Sequence, residues 1–194
     1  MRLILASASP RRRELLRQIC PVFEVVPSEI DETLDGGPIS DAVARLAIRK
    51  ARAIAARAPG TIVLAADTVV VVDGMALGKP AGAQEAAAML MRLRGREHEV
   101  VTGVAVIEAG TGRAVSTTVV SRVLMASYPD STIEAYVASG SPLDKAGAYA
   151  IQDLGGRLVD ALVGSYTNVV GLPLAATRRL LREFGVAVSE PAAP

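Results

Sequence analysis

Tryptophan is absent from this chain of 194 residues, and the other aromatics are two phenylalanines and four tyrosines. The aromatic platforms on which single-stranded nucleic-acid binders stack bases are therefore missing. A single cysteine, Cys20, excludes an internal disulfide framework and a cysteine-rich zinc site, and it reads as a small buried hydrophobe. A single histidine, His98, excludes a multi-histidine metal site within one chain and argues against a Ser–His–Asp triad. Neither sign of charge is in surplus. The 21 Lys and Arg against 20 Asp and Glu leave a formal net charge of +1, so no basic field points to DNA or RNA. No apolar run approaches the length of a membrane span. The apolar run at the N-terminus is only a strand long and is followed by arginines, unlike a signal peptide. The expectation is a cytoplasmic protein with no nucleic-acid or membrane partner. The standard nucleotide and hydrolase signatures are also missing: G-x-x-x-x-G-K-[ST], G-x-G-x-x-G after a strand, and G-x-S-x-G.

What is present is aliphatic. The hydrophobic share of 51% is enough for one domain with a substantial core, packed without aromatics. RLILA (2–6) reads as a short strand that runs directly into a helix start. Ser9 is a good N-cap, and Pro10 suits the first helical position. Arg11, Arg12 and Arg13 then occupy the first turn, where acidic residues are preferred, so the signs are wrong for stability. A bound anion reverses that argument. Free N–H groups, a serine hydroxyl and arginine forks make a polyphosphate site.

VFEVV (22–26) reads as a strand and the acidic stretch Pro27–Pro38 as a loop. A helix from Ser40 or Asp41 to about Ala58 carries an apolar face of Val43, Leu46, Ala47, Ala51 and Ile54. Lys50 lies on that face, whereas Arg45, Arg49 and Arg52 lie opposite. TIVLAADTVVVVDG (61–74) is a strongly apolar strand that ends in an Asp-Gly turn, with MALGKP following. A helix over 83–95, a hairpin of 99–108 with 114–125, and a helix over 130–140 come next, the last with Ser131 and Glu134 as a capping box. Residues 141–156 lack periodicity, 157–163 read as a strand, and Leu174 to Phe184 form the last helix. SEPAAP reads as a frayed tail, and the predicted organisation is one domain over 1–194 with its tail at 186–194. The order of elements predicts a mixed α/β fold with a sheet flanked by helices.

Several polar groups stand where packing does not place them. Asp67 interrupts an apolar strand, and a carboxylate there is costly unless a cation or donors meet it. Lys50 interrupts an apolar helix face, Lys79 follows a tight turn, and the acidic loop adds Glu32. If these converge with Arg11 and Arg12, four cations and two acids describe a site for a triphosphate and a divalent metal. Magnesium takes one or two carboxylates plus phosphate oxygens, a role open to Asp67 and Glu32. The alternative is a structural ion pair of Asp67 with Lys50 or Lys79.

The blocks LASASPRRREL, AADTVV, LGKP, VVTGVAV, LDKAGAYAIQ and NVVGLPL, in that order from Leu3 to about Phe184, resemble the Maf (septum formation inhibitor) family of nucleoside triphosphate pyrophosphatases. The resemblance implies an ITPase-like α/β fold, in which a mixed twisted sheet and two lobes surround a central cleft, and a homodimer. It implies hydrolysis of a nucleoside triphosphate to monophosphate and pyrophosphate with a divalent metal, Mg²⁺ or Mn²⁺, and a role in nucleotide-pool sanitation and cell-division arrest. Asp67 matches the family's proton acceptor. Ser7, Arg11, Arg12, Glu32, Lys50 and Lys79 match its phosphate and metal pocket, with Glu32 and Asp67 toward the metal, and Asp144 and Lys145 look like further cleft residues. Arg11, Thr68 and Gln152 match the subfamily acting on dTTP and UTP. An amide both donates and accepts, which suits a carbonyl beside an N–H on uracil or thymine. The alternatives are the 7-methyl-GTP subfamily, which has an aromatic and a glutamate at the last two positions, and a division regulator that binds nucleotide without turnover. Two positions depart from the family pattern: Ser141 stands where Glu is usual, and Asp153 where Gly is usual.

Overall fold

Three apolar runs of the sequence become three twelve-residue strands that form the middle of the sheet. The computed structural model describes residues 2–152 and 157–190. In chain order the elements are β1 (Arg2–Leu5), α1 (Pro10–Arg17), β2 (Glu24–Val25), α2 (Ile39–Ala55), β3 (Thr61–Val72), β4 (Met75–Leu77) and α3 (Ala83–Leu93). They continue with β5 (Glu97–Glu108), β6 (Ala114–Met125), α4 (Asp130–Ala138), β7 (Val159–Val163), α5 (Tyr166–Val170) and α6 (Leu174–Glu183). The strand order is β2-β1-β3-β5-β6-β7, with β4 also paired to β3. The sheet is mixed: β1 runs parallel to β2 and β3, while β4 is antiparallel to β3 and β7 to β6.

The chain divides into two compact units. The first comprises the chain up to Asp67, Thr102–Val119 and the chain from Gly171. Here α2 lays its apolar stripe on the strands. Ala47, Ala51 and Ile54 pack with Ile4, Val63, Ala65, Ala105 and Ile107 in one buried cluster. Gly103 on β5 permits this close approach, because a Cβ there would lie 2.6 Å from the Val43 carbonyl oxygen. Residues beyond α6 are tied as far as Glu190: the Ser189 N–H donates to the Ile19 carbonyl (2.8 Å), and the Glu190 carboxylate pairs with Arg178 and Arg182.

The second unit comprises Thr68–Val101 and Val120–Val170. Its core joins Val70 and Val72 to Leu90 and Leu93 of α3, Ile133 and Tyr136 of α4, and Tyr149. Asp73 and Gly74 both adopt positive φ (54° and 73°), the two-residue turn that returns β3 into β4 in the register Val72↔Met75.

Several local expectations shift. The strand expected over 22–26 is reduced to Glu24–Val25, because it pairs only with Ile4 and Leu5 at the end of a four-residue β1. α2 begins at Ile39 with Pro38 as N-cap and ends at Ala55, about one turn short of its expected end at Ala58. The capping box at Ser131 and Glu134 does not form. Pro129 caps α4 and starts it at Asp130, which leaves Ser131 inside the first turn. The 141–156 stretch contains two short 3-10 turns, Ser141–Asp144 and Ala146–Ala148. The short helix α5, unexpected from its β-branched sequence, starts where the Ser165 hydroxyl accepts the Asn168 N–H (3.2 Å).

Candidate active site

The end of β1 and the start of α1 meet as the sequence predicts. The Ser9 side chain accepts the Arg12 N–H (3.4 Å), and Pro10 stands first in the helix. Buried Ser7 organises the turn: its hydroxyl accepts from the Ser9 N–H (3.2 Å) and from Arg12 Nη1 (3.4 Å). Arg12 is also held from a distant part of the chain, because its Nε donates to the Gly171 carbonyl at 2.8 Å. Nothing in composition marks that contact, although NVVGLPL stands among the resembling blocks.

Lys50 emerges from the buried stripe of α2 with only 5% of its side chain exposed. Its Nζ donates to Asp67 Oδ1 at 2.7 Å and lies 2.8 Å from Glu32 Oε1. The strand's buried carboxylate is thus met by a cation, as the ion-pair alternative required, and the same ammonium draws in the glutamate of the acidic loop. Burial pushes the half-buried Arg12 guanidinium below its ordinary value, opposed by the negative charges of Asp67 and Glu32 and reinforced by Arg11. The first unit therefore brings Ser7, Arg11, Arg12, Glu32, Lys50 and Asp67 into one electrostatic neighbourhood.

Lys79, Thr68 and Gln152 belong to the second unit. Lys79 and Gln152 are exposed, and Thr68 is half-buried. The Gly147 N–H donates to the Gly78 carbonyl (3.0 Å), tying the loop that carries Lys79 to the segment that leads to Gln152. Buried Lys145 donates to Asp144 Oδ1 (2.7 Å) and to the Ser141 carbonyl, so the departure at Ser141 contributes backbone here. Asp153 lies outside the described residues.

The sequence places Arg45, Arg49 and Arg52 opposite the apolar face of α2 and gives them no partner. In the structure Arg45 and Arg49 grip the acidic loop instead, through Gly36, Asp35, Thr33 and Asp31. A run of acids followed a few residues later by arginines on one helix face was the available signal. The buried pair His98–Tyr149 was missed as well. His98 Nε2 and Tyr149 Oη are 2.7 Å apart with their rings edge-on, and burial pushes His98 down to about 4 and the Tyr149 phenol up.

Two carboxylates converging on one ammonium have the donor chemistry for a magnesium-type ion, which takes few protein ligands and completes its shell with water and phosphate. Among the described residues no group of three or more His, Cys, Asp or Glu could hold a metal. No helix among them is long and apolar enough to cross a membrane.

The fold is that of a known class of α/β proteins. The solved structure of the Staphylococcus aureus Ham1 protein matches with a TM-score of 0.50 at 13% identity, covering 95% of this chain and 97% of that one. Sequence narrows the class further. The family model described as Maf-like protein matches residues 2–184, and the chain belongs to the Maf family. It is 52% identical to a dTTP/UTP pyrophosphatase of Methylobacillus flagellatus, over 96% of this chain and 94% of that protein. Similar relatives with the same name occur in Symbiobacterium thermophilum (50% identical, 94% of each chain) and Myxococcus xanthus (52%, covering 95% and 93%).

Proposed function

We propose that this chain hydrolyses dTTP and UTP to the nucleoside monophosphate and pyrophosphate. The observation that carries the reading is the buried Lys50 ammonium shared by Asp67 and Glu32, set beside the arginine-bearing start of α1. The near-full-length likeness to relatives named dTTP/UTP pyrophosphatase supports the choice of substrate.

Arg11, Arg12 and Lys79 bind the triphosphate charge, with Ser7 and the first turn of α1 as hydrogen-bonding partners. Lys50 follows the negative charge, leaving its carboxylate partners for the phosphate when substrate enters. Glu32 and Asp67 would hold a divalent cation, Mg²⁺ or Mn²⁺, whose chemistry when bound is to neutralise phosphate oxygens and make water easier to deprotonate. Asp67 accepts the proton of the attacking water. Thr68, Gln152 and Arg11 select the pyrimidine. Catalysis is then mainly positioning and charge stabilisation.

The test is pyrophosphate release from UTP, dTTP, CTP, GTP and 7-methyl-GTP with Mg²⁺ or Mn²⁺. UTP and dTTP are expected to be the preferred substrates. Asp67→Asn is expected to lower kcat by about a hundredfold or more while the protein stays folded, the range of a lost general base. Near-normal turnover in that variant would remove Asp67 from the chemistry. Nucleotide binding without turnover of any substrate would favour a regulator instead.

A further inference from the structure

Glu32 poses a positional problem. It sits on a loop without regular structure, its side chain is 52% exposed, and yet its Oε1 must stand 2.8 Å from a buried ammonium. Half of that side chain is open to solvent, and ordering a glutamate opposes conformational entropy. The backbone on either side of it is held as well. Arg49 Nη2 donates to the Thr33 carbonyl (2.6 Å) and to the Asp31 carbonyl (3.3 Å), the residues directly after and before Glu32. Its Nη1 donates to Asp35 Oδ1 (2.8 Å), and Arg45 Nη2 donates to the Gly36 carbonyl (2.6 Å). Asp31 closes the turn by accepting from the Thr33 N–H (2.9 Å) and hydroxyl (2.7 Å).

Arg49 and Lys50 are consecutive on α2. The helix thus grips Glu32 twice, with one cation on its carboxylate and the next on its flanking carbonyls. An isolated surface ion pair contributes little. A planar guanidinium that serves two carbonyls and a carboxylate fixes geometry in a way that a lysine point charge does not.

We propose that Arg49 is a positioning residue for the active site, which places Glu32 through the carbonyls of Asp31 and Thr33. The inference rests on the role proposed above for Glu32. Its test compares wild type, Arg49→Ala, Arg49→Lys, Glu32→Ala and the Arg49→Ala/Glu32→Ala double variant. The readouts are kcat/KM for UTP, the Mg²⁺ concentration for half-maximal rate, and hydrogen exchange of amides 31–36 in protein free of nucleotide and metal. Arg49→Ala is expected to lower kcat/KM by about tenfold, the scale of a lost charge-assisted contact, and to raise the Mg²⁺ requirement. It also speeds exchange in the loop. Arg49→Lys recovers part of each effect. In the Glu32→Ala background the same substitution is expected to change kcat/KM by less than about twofold, because the two act as one unit. A full, multiplicative loss in that background, or unchanged kcat/KM and Mg²⁺ requirement despite a loosened loop, overturns the positioning role and leaves Glu32 in place. Full activity of Glu32→Ala overturns the role of Glu32 itself.

Discussion

Lowering the pH from about 7 to about 5 is expected to destabilise the second unit through His98. This imidazole is only 3% exposed, lies edge-on to Tyr149, and has no hydrogen-bond partner at Nδ1. A proton added there acquires no acceptor and charges a buried ring. Burial moves the folded value from 6.5 to about 4. Between those values the unfolded chain binds more protons than the folded one, so stability falls as pH drops through the window and the loss is complete below about pH 4. At about pH 5 the loss is about 2 kcal/mol, or a fall in Tm of about 4–8 °C for a chain of this size. The assay is thermal unfolding of wild type and His98→Gln across that range. Asp73, whose value is lowered by hydrogen bonds from Arg96 and Arg92, loses its contribution further down, below the ordinary aspartate value of about 3.9, so the two windows separate. His98→Gln is expected to be less stable at neutral pH but flatter toward pH 5. Parallel curves for the two proteins would refute the reasoning.

Two further substitutions test how the first unit is built. Lys50→Ala strands the Asp67 carboxylate in an apolar strand and is expected to cost about 3–5 kcal/mol in denaturant unfolding; Lys50→Met with Asp67→Leu recovers most of that stability without recovering turnover. Gly103→Ala places a methyl 2.6 Å from the Val43 carbonyl and is expected to lower stability by about 1–3 kcal/mol, with turnover falling too because α2 carries Lys50.

The long elements were legible because their periods are strong. The stripe of α2 and the apolar run of β3 announced themselves, and so did the two residues that break them, Lys50 and Asp67, which the structure joins at 2.7 Å. Ser9 and Pro10 were legible because capping is local chemistry. The failures share a cause. The Ser131 box lost to a proline two residues upstream that fixed an earlier helix start. β2 shrank because its length is set by its partner strand. Gly171 on Arg12 and Tyr149 on His98 are contacts between residues far apart in sequence, and no local pattern encodes them, whereas Arg49 on the acidic loop left only the signal of acids followed by arginines.

The bond from Arg12 to the Gly171 carbonyl spans 159 positions of the chain. The arginine in the first turn of α1 is thus oriented by a carbonyl just ahead of α6, and the two meet only once the chain between them has folded. A chain truncated before Gly171 carries the whole LASASPRRR block without the carbonyl that orients Arg12. The first turn of α1 is therefore completed by a contact of long sequence separation, which closes late in folding because the entropy of closing so long a loop must be met first.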